Sequence, residues 1–348
     1  MSGRSATSHR TGAARSHVLR GLGNRVFVAI VSVATLVAVA AVTVGVVRAL
    51  VRLHGAGGQP AASSGRKVVV RLPAKPLSYL GAYAQGVPQS YEPMQQFATH
   101  VGVQPNLALY YSGWGEPFKT NFAMQAARNH AVPLIQIEPG RTKLAAIANG
   151  GYTAYLTSFA KAVKAFGHRT NQGVIIGFAH EPNGRWYPWG DKKVSPQTWV
   201  AAWRRVWTTF HDVGADNVTW LWTINVFDTS QHIADPTPWW PGPKYVTWVG
   251  IDGYYYKPTW SFAPLFGPAI KAVRGLTGDP ILISETGASP AAGKAAKIAN
   301  LFAGVKSYQL LGLVWFDRRK HRDWRIEVSP SAITAFRAGA SEFTLVRP

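Results

Sequence analysis

Two glutamates stand where apolar runs give out. Glu181 closes "GVIIGFAHE" (173–181) and Glu285 lies in "PILISETGA" (280–288). The chain has only 16 acidic residues against 37 lysines and arginines, so two carboxylates placed alike are informative. Facing each other across one site, such a pair does acid–base and nucleophilic work. One carboxyl must be protonated, to donate to a leaving oxygen; the other must be ionised, to attack or to activate water. The surroundings of Glu181 fit a sugar better than a metal. His180 precedes it, Pro182-Asn183-Gly184 turns the chain, and Trp186, Tyr187 and Trp189 follow. A zinc motif HExxH would need a second histidine at 184, which is Gly184, on a helix that Pro182 disfavours, so no metal is expected.

Other run ends supply further candidates: Glu138, Asp252 and Tyr254, and Trp315 with Asp317. Trp114, Trp186, Trp189 and Trp315 fall at run ends or in loops, where an indole face can stack on the C–H face of a pyranose. Trp203 and Trp207 fall at helical spacing and read as core. With no cysteine, the chain has no disulfide, zinc-thiolate site or thiol nucleophile. No glycine-rich phosphate loop follows the first apolar run, and no cofactor is expected.

The elements that must position these residues are eight short apolar runs, at 78–84, 106–115, 133–139, 173–181, 217–226, 245–256, 280–288 and 310–317. Helix-like stretches separate them. "TAYLTSFAKAVKAFG" brings Tyr155, Phe159, Ala162, Val163 and Phe166 to one face. "PQTWVAAWRRVWTTFHDVG" does the same with Trp199, Ala202, Trp203, Val206 and Phe210, and stops at Gly214. Strands alternating with helices predict parallel βα units, and eight of them over about 250 residues predict a (β/α)8 barrel, with chemistry at the C-terminal strand ends. An open doubly wound sheet is the alternative, weakened by the missing phosphate loop.

The first 77 residues read differently. They hold 11 lysines and arginines and no acid, about half of the formal charge of +21. Residues 1–25 form a basic tail. Residues 26–47 run without a charge, long enough as a helix to span roughly 33 Å, the reach of a bilayer core. Arg48 interrupts where a cleavage site would follow, which favours an uncleaved signal anchor over a signal peptide. Residues 48–77, rich in Gly, Ala, Ser and Pro, predict a linker, and 78–348 the barrel domain. The expected placement is a single-pass membrane protein with its catalytic domain on the extracytoplasmic side. The remaining basic residues are scattered apart from "DRRKHRDWR", and do not cluster around the aromatics as a nucleic-acid groove would require. No nucleic acid and no obligate protein partner are expected.

"HEPNGRWYPWG" resembles the acid/base signature of glycoside hydrolase family 26, the β-mannanase-like retaining enzymes. "YYSGWGEPF", "PLIQIEP", "AWRRVWTTFHDVGADNVTWLWTINV", "YVTWVGIDGYYY", "PILISETG" and "WFDRRKHRDWRI" follow in the family's order, over about 78–330. The resemblance implies a (β/α)8 barrel, with Glu181 as general acid/base and Glu285 as nucleophile. It implies that His180 orients Glu181, that Tyr254 lies near the nucleophile, and that Trp186 and Trp315 line sugar subsites. Two positions depart from the pattern: Pro182, where the family often has Met, and Gly177, where it often has Arg. The expected function is retaining hydrolysis of a β-linked polysaccharide, β-mannan favoured. A β-1,3-1,4-glucanase or a catalytically silent glycan-binding barrel are the alternatives.

Overall fold

The computed structural model describes residues 71–227, 233–257, 259–289 and 292–347. The basic tail, the anchor expected over 26–47 and most of the linker lie outside the described residues. Among the described residues no helix is long and apolar enough to cross a membrane.

All eight apolar runs form strands: β1 (Tyr79–Pro88), β2 (Leu107–Gly113), β3 (Val132–Glu138), β4 (Val174–Phe178), β5 (Val218–Asn225), β6 (Trp248–Tyr255), β7 (Ile281–Ala288) and β8 (Gly312–Asp317). Each pairs in parallel with the next, and β1 pairs with β8 to close the barrel. A parallel strand is covered on both faces, by helices outside and by the opposite wall inside, so it reads as an unbroken apolar run. Every residue of β4 and β8 is buried accordingly.

The helices are α1 (Glu92–Val101), α2 (Thr120–Arg128), α3 (Leu144–Ala148), α4 (Thr153–Thr170), α5 (Pro196–Val213), α6 (Phe262–Leu276), α7 (Lys294–Ser307) and α8 (Pro330–Ala340). α5 carries both its stop signals in the sequence. Ser195 caps it by accepting the Thr198 N–H at 3.2 Å, and Gly214 ends it at a left-handed φ of 71°. Its apolar face buries Trp199, Trp203, Val206 and Phe210. The β5–β6 connection departs from a regular βα repeat: among its described residues it holds only a 3-10 turn, Thr237–Trp239.

Residues 71–77, expected to be the end of the linker, lie on the barrel. Leu72 is buried in the core, and Pro73 O accepts the Tyr79 hydroxyl at 2.7 Å. Leu77 bonds through its N–H to Leu310 O and through its carbonyl to Thr344 N, both at 3.0 Å.

The interior is filled in layers. Near the N-terminal strand ends, Tyr79 of β1 and Trp248 of β6 meet across the barrel with ring centroids 4.9 Å apart. Closer to the C-terminal ends the filling turns polar: Gln136 Nε2 of β3 donates to Thr223 Oγ1 of β5 at 2.9 Å. Gln136 reaches across because β4 presents no side chain at 177. A Cβ on Gly177 would lie 2.0 Å from Gln136 Oε1 and 2.8 Å from its Cδ. Gly177 is therefore required by packing with Gln136. Gly177→Ala is expected to displace the buried amide, break its bond to Thr223 and destabilise the fold by about 1–3 kcal/mol. Urea denaturation compared with wild type reads this directly; an unchanged midpoint would contradict it.

Candidate active site

The two glutamates reach the site through two departures from regular strand geometry. β4 ends at Phe178, and the next residues turn sharply: Ala179 and Glu181 have φ of 48° and 53°. Left-handed backbone at non-glycine residues costs roughly 1–3 kcal/mol each and persists only where the surroundings impose it. Here they do. Trp199 Nε1 donates to Ala179 O at 3.1 Å, Trp189 Nε1 to His180 O at 2.8 Å, and Glu181 N to Thr223 O at 2.9 Å.

β7 carries the second departure. Gly250 of β6 pairs with Leu282, but Asp252 pairs with Glu285; on the other side Ile283 pairs with Leu313, but Thr286 with Trp315. One extra residue in β7 makes a bulge, which breaks the alternation of side chains. Two consecutive residues then serve the same cluster. Ser284 Oγ donates to Asp252 Oδ1 at 2.5 Å, while Glu285 accepts the hydroxyls of Tyr254 at Oε1 and Tyr111 at Oε2.

Glu181 is buried and fully engaged. Asn225 Nδ2 donates to its Oε1 at 2.5 Å and Trp186 Nε1 to its Oε2 at 2.6 Å. Trp186 reaches back because residue 184 is glycine; a Cβ there would sit 2.3 Å from the indole ring. Asp252, also buried, lies within hydrogen-bonding reach of Glu181. Both glutamates line a cavity of 810 Å³ at the C-terminal strand ends, together with Trp186, Tyr254, Tyr256 and Trp324.

Burial governs the protonation of this cluster. It pushes the Glu181 carboxyl up, against the N–H donors of Asn225 and Trp186 and the charge of Lys320. It pushes Glu285 up to about 8, again against Lys320. Asp252 is driven well above the usual carboxylate range by burial and by the charge of Glu181. Two adjacent buried carboxyls cannot both ionise, so the Asp252–Glu181 pair retains a proton. Glu285 has no carboxyl among its perturbing neighbours, and it receives O–H donors at both oxygens, which favour its ionised form. The Tyr254 phenol is itself pushed well above 10 by burial, so it stays a donor. The Glu181–Asp252 pair thus holds a proton to give, while Glu285, whose burial favours its protonated form, depends on its two phenol donors and on Lys320 to become the carboxylate.

The other expected site residues divide sharply. Trp186 is 49% exposed and faces the cavity, and Tyr254 lines it. His180 lies buried behind Glu181, its Nε2 2.9 Å from the Tyr187 hydroxyl and 4.0 Å from Glu138 Oε1. Trp189 is not a sugar platform: it is buried, stacked on Tyr187 at 4.3 Å, and holds the turn. Asn183 is fully buried and ties the turn to β5, donating to Asn225 O at 2.9 Å and accepting Asn225 N at 3.0 Å. Trp114 packs against Tyr155 and Phe178. Neither Trp114 nor Glu138 lines the cavity. Trp315, expected at a sugar subsite, is fully buried against Phe336 of α8, and its Nε1 donates to Trp324 O at 3.1 Å. Trp324 faces the cavity instead. Among the described residues no cluster of His, Asp and Glu could hold a metal ion.

Tyr111, Asn225, Lys320 and Trp324 were not singled out by sequence. Asn225 ends the fifth run and Tyr111 lies within the second, so both were within reach of the strand-end argument. What hid them is that neither residue type announces chemistry.

The eight strands close a parallel barrel, and two glutamates line one cavity at its C-terminal mouth, the end where barrel enzymes carry their active sites. The model of glycosyl hydrolase family 26 matches residues 145–291, a span that contains both Glu181 and Glu285. Endoglucanase H of Acetivibrio thermocellus is 29% identical over 288 residues, 76% of this chain and 31% of that protein. Mannan endo-1,4-beta-mannosidase A and B of Caldalkalibacillus mannanilyticus is 30% identical over 97 residues, 25% of this chain and 18% of that protein. The chain thus spans less than a third of the length of these relatives. Among solved structures, the catalytic domain of the Bacillus sp. JAMB-750 endo-beta-1,4-mannanase superposes with a TM-score of 0.59 at 14% identity, covering 76% of this chain and 85% of that one. Bacillus subtilis mannanase man26 gives 0.57 at 14% identity, covering 75% and 85%. At these identities the structural likeness supports the fold alone.

His180 makes a test of the turn. Burial holds its ring neutral in the folded protein down to about pH 3, whereas an unfolded histidine takes up a proton near 6.5. Between those values the unfolded chain binds more protons, so this residue subtracts stability as pH falls from 6.5 toward 3. His180→Gln, less stable than wild type at pH 7 through lost packing, is expected to close that gap as pH falls through this window. Urea midpoints at pH 7 and pH 4.5 measure it; a gap that widens in acid would refute the assignment.

Proposed function

We propose that this barrel is a retaining endo-β-glycosidase acting on a β-linked glycan. The observation that carries the reading is the asymmetry between the two cavity-lining carboxyls. Glu181 draws on the proton it shares with Asp252, while Glu285 is a carboxyl set apart from that pair and held by two phenols, whose donors favour its ionised form. In the first step Glu181 protonates the glycosidic oxygen as it departs, and Glu285 Oε attacks the anomeric carbon to form a glycosyl ester. In the second step Glu181, now ionised, takes a proton from water, which attacks the same carbon and releases Glu285. Asn225 and Trp186 orient Glu181; Tyr111 and Tyr254 orient Glu285. Trp186 and Trp324 offer aromatic surface to the sugar.

The name of the longer-matching relative refers to glucan and that of the shorter to mannan. The proposed substrate is accordingly a β-linked pyranose backbone of either kind, with β-mannan the first to test. An anchor at residues 26–47 would hold the domain at the outer face of a membrane, within reach of an exported polymer.

Glu181→Ala and Glu285→Ala are each expected to lower kcat on mannan, glucomannan or mixed-linkage β-glucan by at least 10²-fold, on the order of what positioned acid–base groups supply. NMR of the first-formed product should show the β-anomer. Activity unchanged in either variant, or an inverted product, would defeat the mechanism. Trp186→Phe removes a donor that favours ionised Glu181, so the alkaline limb of the kcat/KM profile should move to higher pH. A shift to lower pH would mean that the indole does not serve the acid.

A further inference from the structure

The cavity carries positive charge that hydrolysis of a neutral glycan does not require. Among its described lining residues the only acids are Glu181 and Glu285, while Lys320 and His321 close the side formed by the segment after β8. Lys320 is exposed and forms no ion pair with any described residue. Beside it, the Arg322 guanidinium lies 5.4 Å from the ring centre of Tyr256, a cavity-lining residue, and likewise has no carboxylate partner among the described residues. Lys257 Nζ lies 5.5 Å from the centre of Trp260, whose ring packs 6.0 Å from that of Tyr256 and which also lines the cavity.

This is not a loose basic run. The segment from Asp317 to Ile326 is pinned at several points. Arg319 and Asp323 form a backbone bridge, Trp324 N donates to Arg318 O at 3.1 Å, and Ile326 N donates to Asp317 Oδ1 at 2.7 Å. The buried Lys294 of α7 reaches up to Asp323 O at 3.2 Å and Arg325 O at 2.8 Å. The same segment shows what a structural cation looks like here: Arg325 grips Asp323 through two bonds, at 2.8 and 2.6 Å, and approaches Glu327 at 3.5 Å. Arg325 is neutralised within the loop. Lys320 lines the cavity and Arg322 lies against its Tyr256 wall, and neither forms an ion pair with a described residue. The field of Lys320 reaches the site, since its charge lowers the affinity of Glu138, Glu181 and Glu285 for protons.

We propose that Lys320 and Arg322 read an anionic substituent on the glycan, so that the preferred substrate is an acidic β-glycan bearing a carboxylate or an ester of sulfate or phosphate close to the scissile bond. The inference rests on the glycosidase reading above. A cation at the mouth adds attraction for such a chain, and the pinned backbone of the segment spares the cost of ordering a loose loop. Being partly exposed, the attraction is screened by salt.

The test uses soluble β-mannan and mixed-linkage β-glucan, each native, partly oxidised at C6 to the carboxylate, and partly sulfated at O6. The readout is the ratio of kcat/KM on the charged and native forms of the same polymer. In wild type at low salt the ratio is expected to be about tenfold in favour of at least one charged form, carried by KM, and to shrink toward one as salt rises to about 0.5 M. Lys320→Met and Arg322→Met should each lower the ratio, and the double variant should bring it to about one. Preference for the oxidised form alone would identify a carboxylate reader, and preference for both a reader of fixed charge; either supports the proposal. A ratio at or below one in wild type for both charged forms, or one that the double variant leaves untouched, overturns it. Failure of the underlying glycosidase reading looks different: no polymer, charged or native, would then be cleaved.

Discussion

The constraint on which the site depends is the cost of burying carboxyl groups. Glu181, Asp252 and Glu285 gather at the mouth of an apolar barrel, where an unpaired charge is held at a penalty of several kcal/mol. Each neighbouring group can be understood by how it meets that cost. Asn225 and Trp186 give N–H donors to Glu181, Tyr111 and Tyr254 give O–H donors to Glu285, and Ser284 gives one to Asp252. A proton retained between Asp252 and Glu181 removes one charge altogether. The arrangement that makes the cluster tolerable to the fold is also the one from which the proposed acid and the proposed nucleophile are drawn.

Delivering those carboxyls takes local irregularity in an otherwise regular barrel. The left-handed turn at Ala179 and Glu181 and the bulge around Ser284–Glu285 each redirect a side chain that regular strand geometry would point elsewhere. The aromatic complement divides along the same line. Trp189 and Trp199 spend their N–H groups on the carbonyls of the strained turn, and Trp315 secures the segment after β8, leaving Trp186, Trp260 and Trp324 to face the cavity. Buried indoles need a partner for their N–H, and here the partners are the backbone atoms that most need holding. The segment after β8 is held from below by Lys294, a buried ammonium that finds two carbonyls instead of a carboxylate.

Much of this was legible in the chain, and the reasons are specific. The eight strands could be counted because parallel strands, buried on both faces, appear as unbroken apolar runs. Glu181 and Glu285 could be singled out because acids are scarce and both close such runs. α5 could be bounded at Gly214 because a left-handed helix end favours glycine. Gly177 could be seen as a departure, but not explained, because the side chain that fills its space, Gln136, lies one strand and 41 positions away.

By itself, then, the sequence determined the barrel, the two glutamates and the aromatic setting, since these follow from composition and periodicity along the chain. Only the tertiary structure decided which aromatic faces the cavity, because Trp315 and Trp324 differ in side-chain direction, and direction is set by packing against α8 and the loop. It alone decided that Tyr111 and Asn225 complete the site, since they converge from strands far apart in sequence. And it alone separated Arg325 from Lys320 and Arg322. All three are basic residues of one short run, and only the fold shows which charge is already answered and which still faces the cavity.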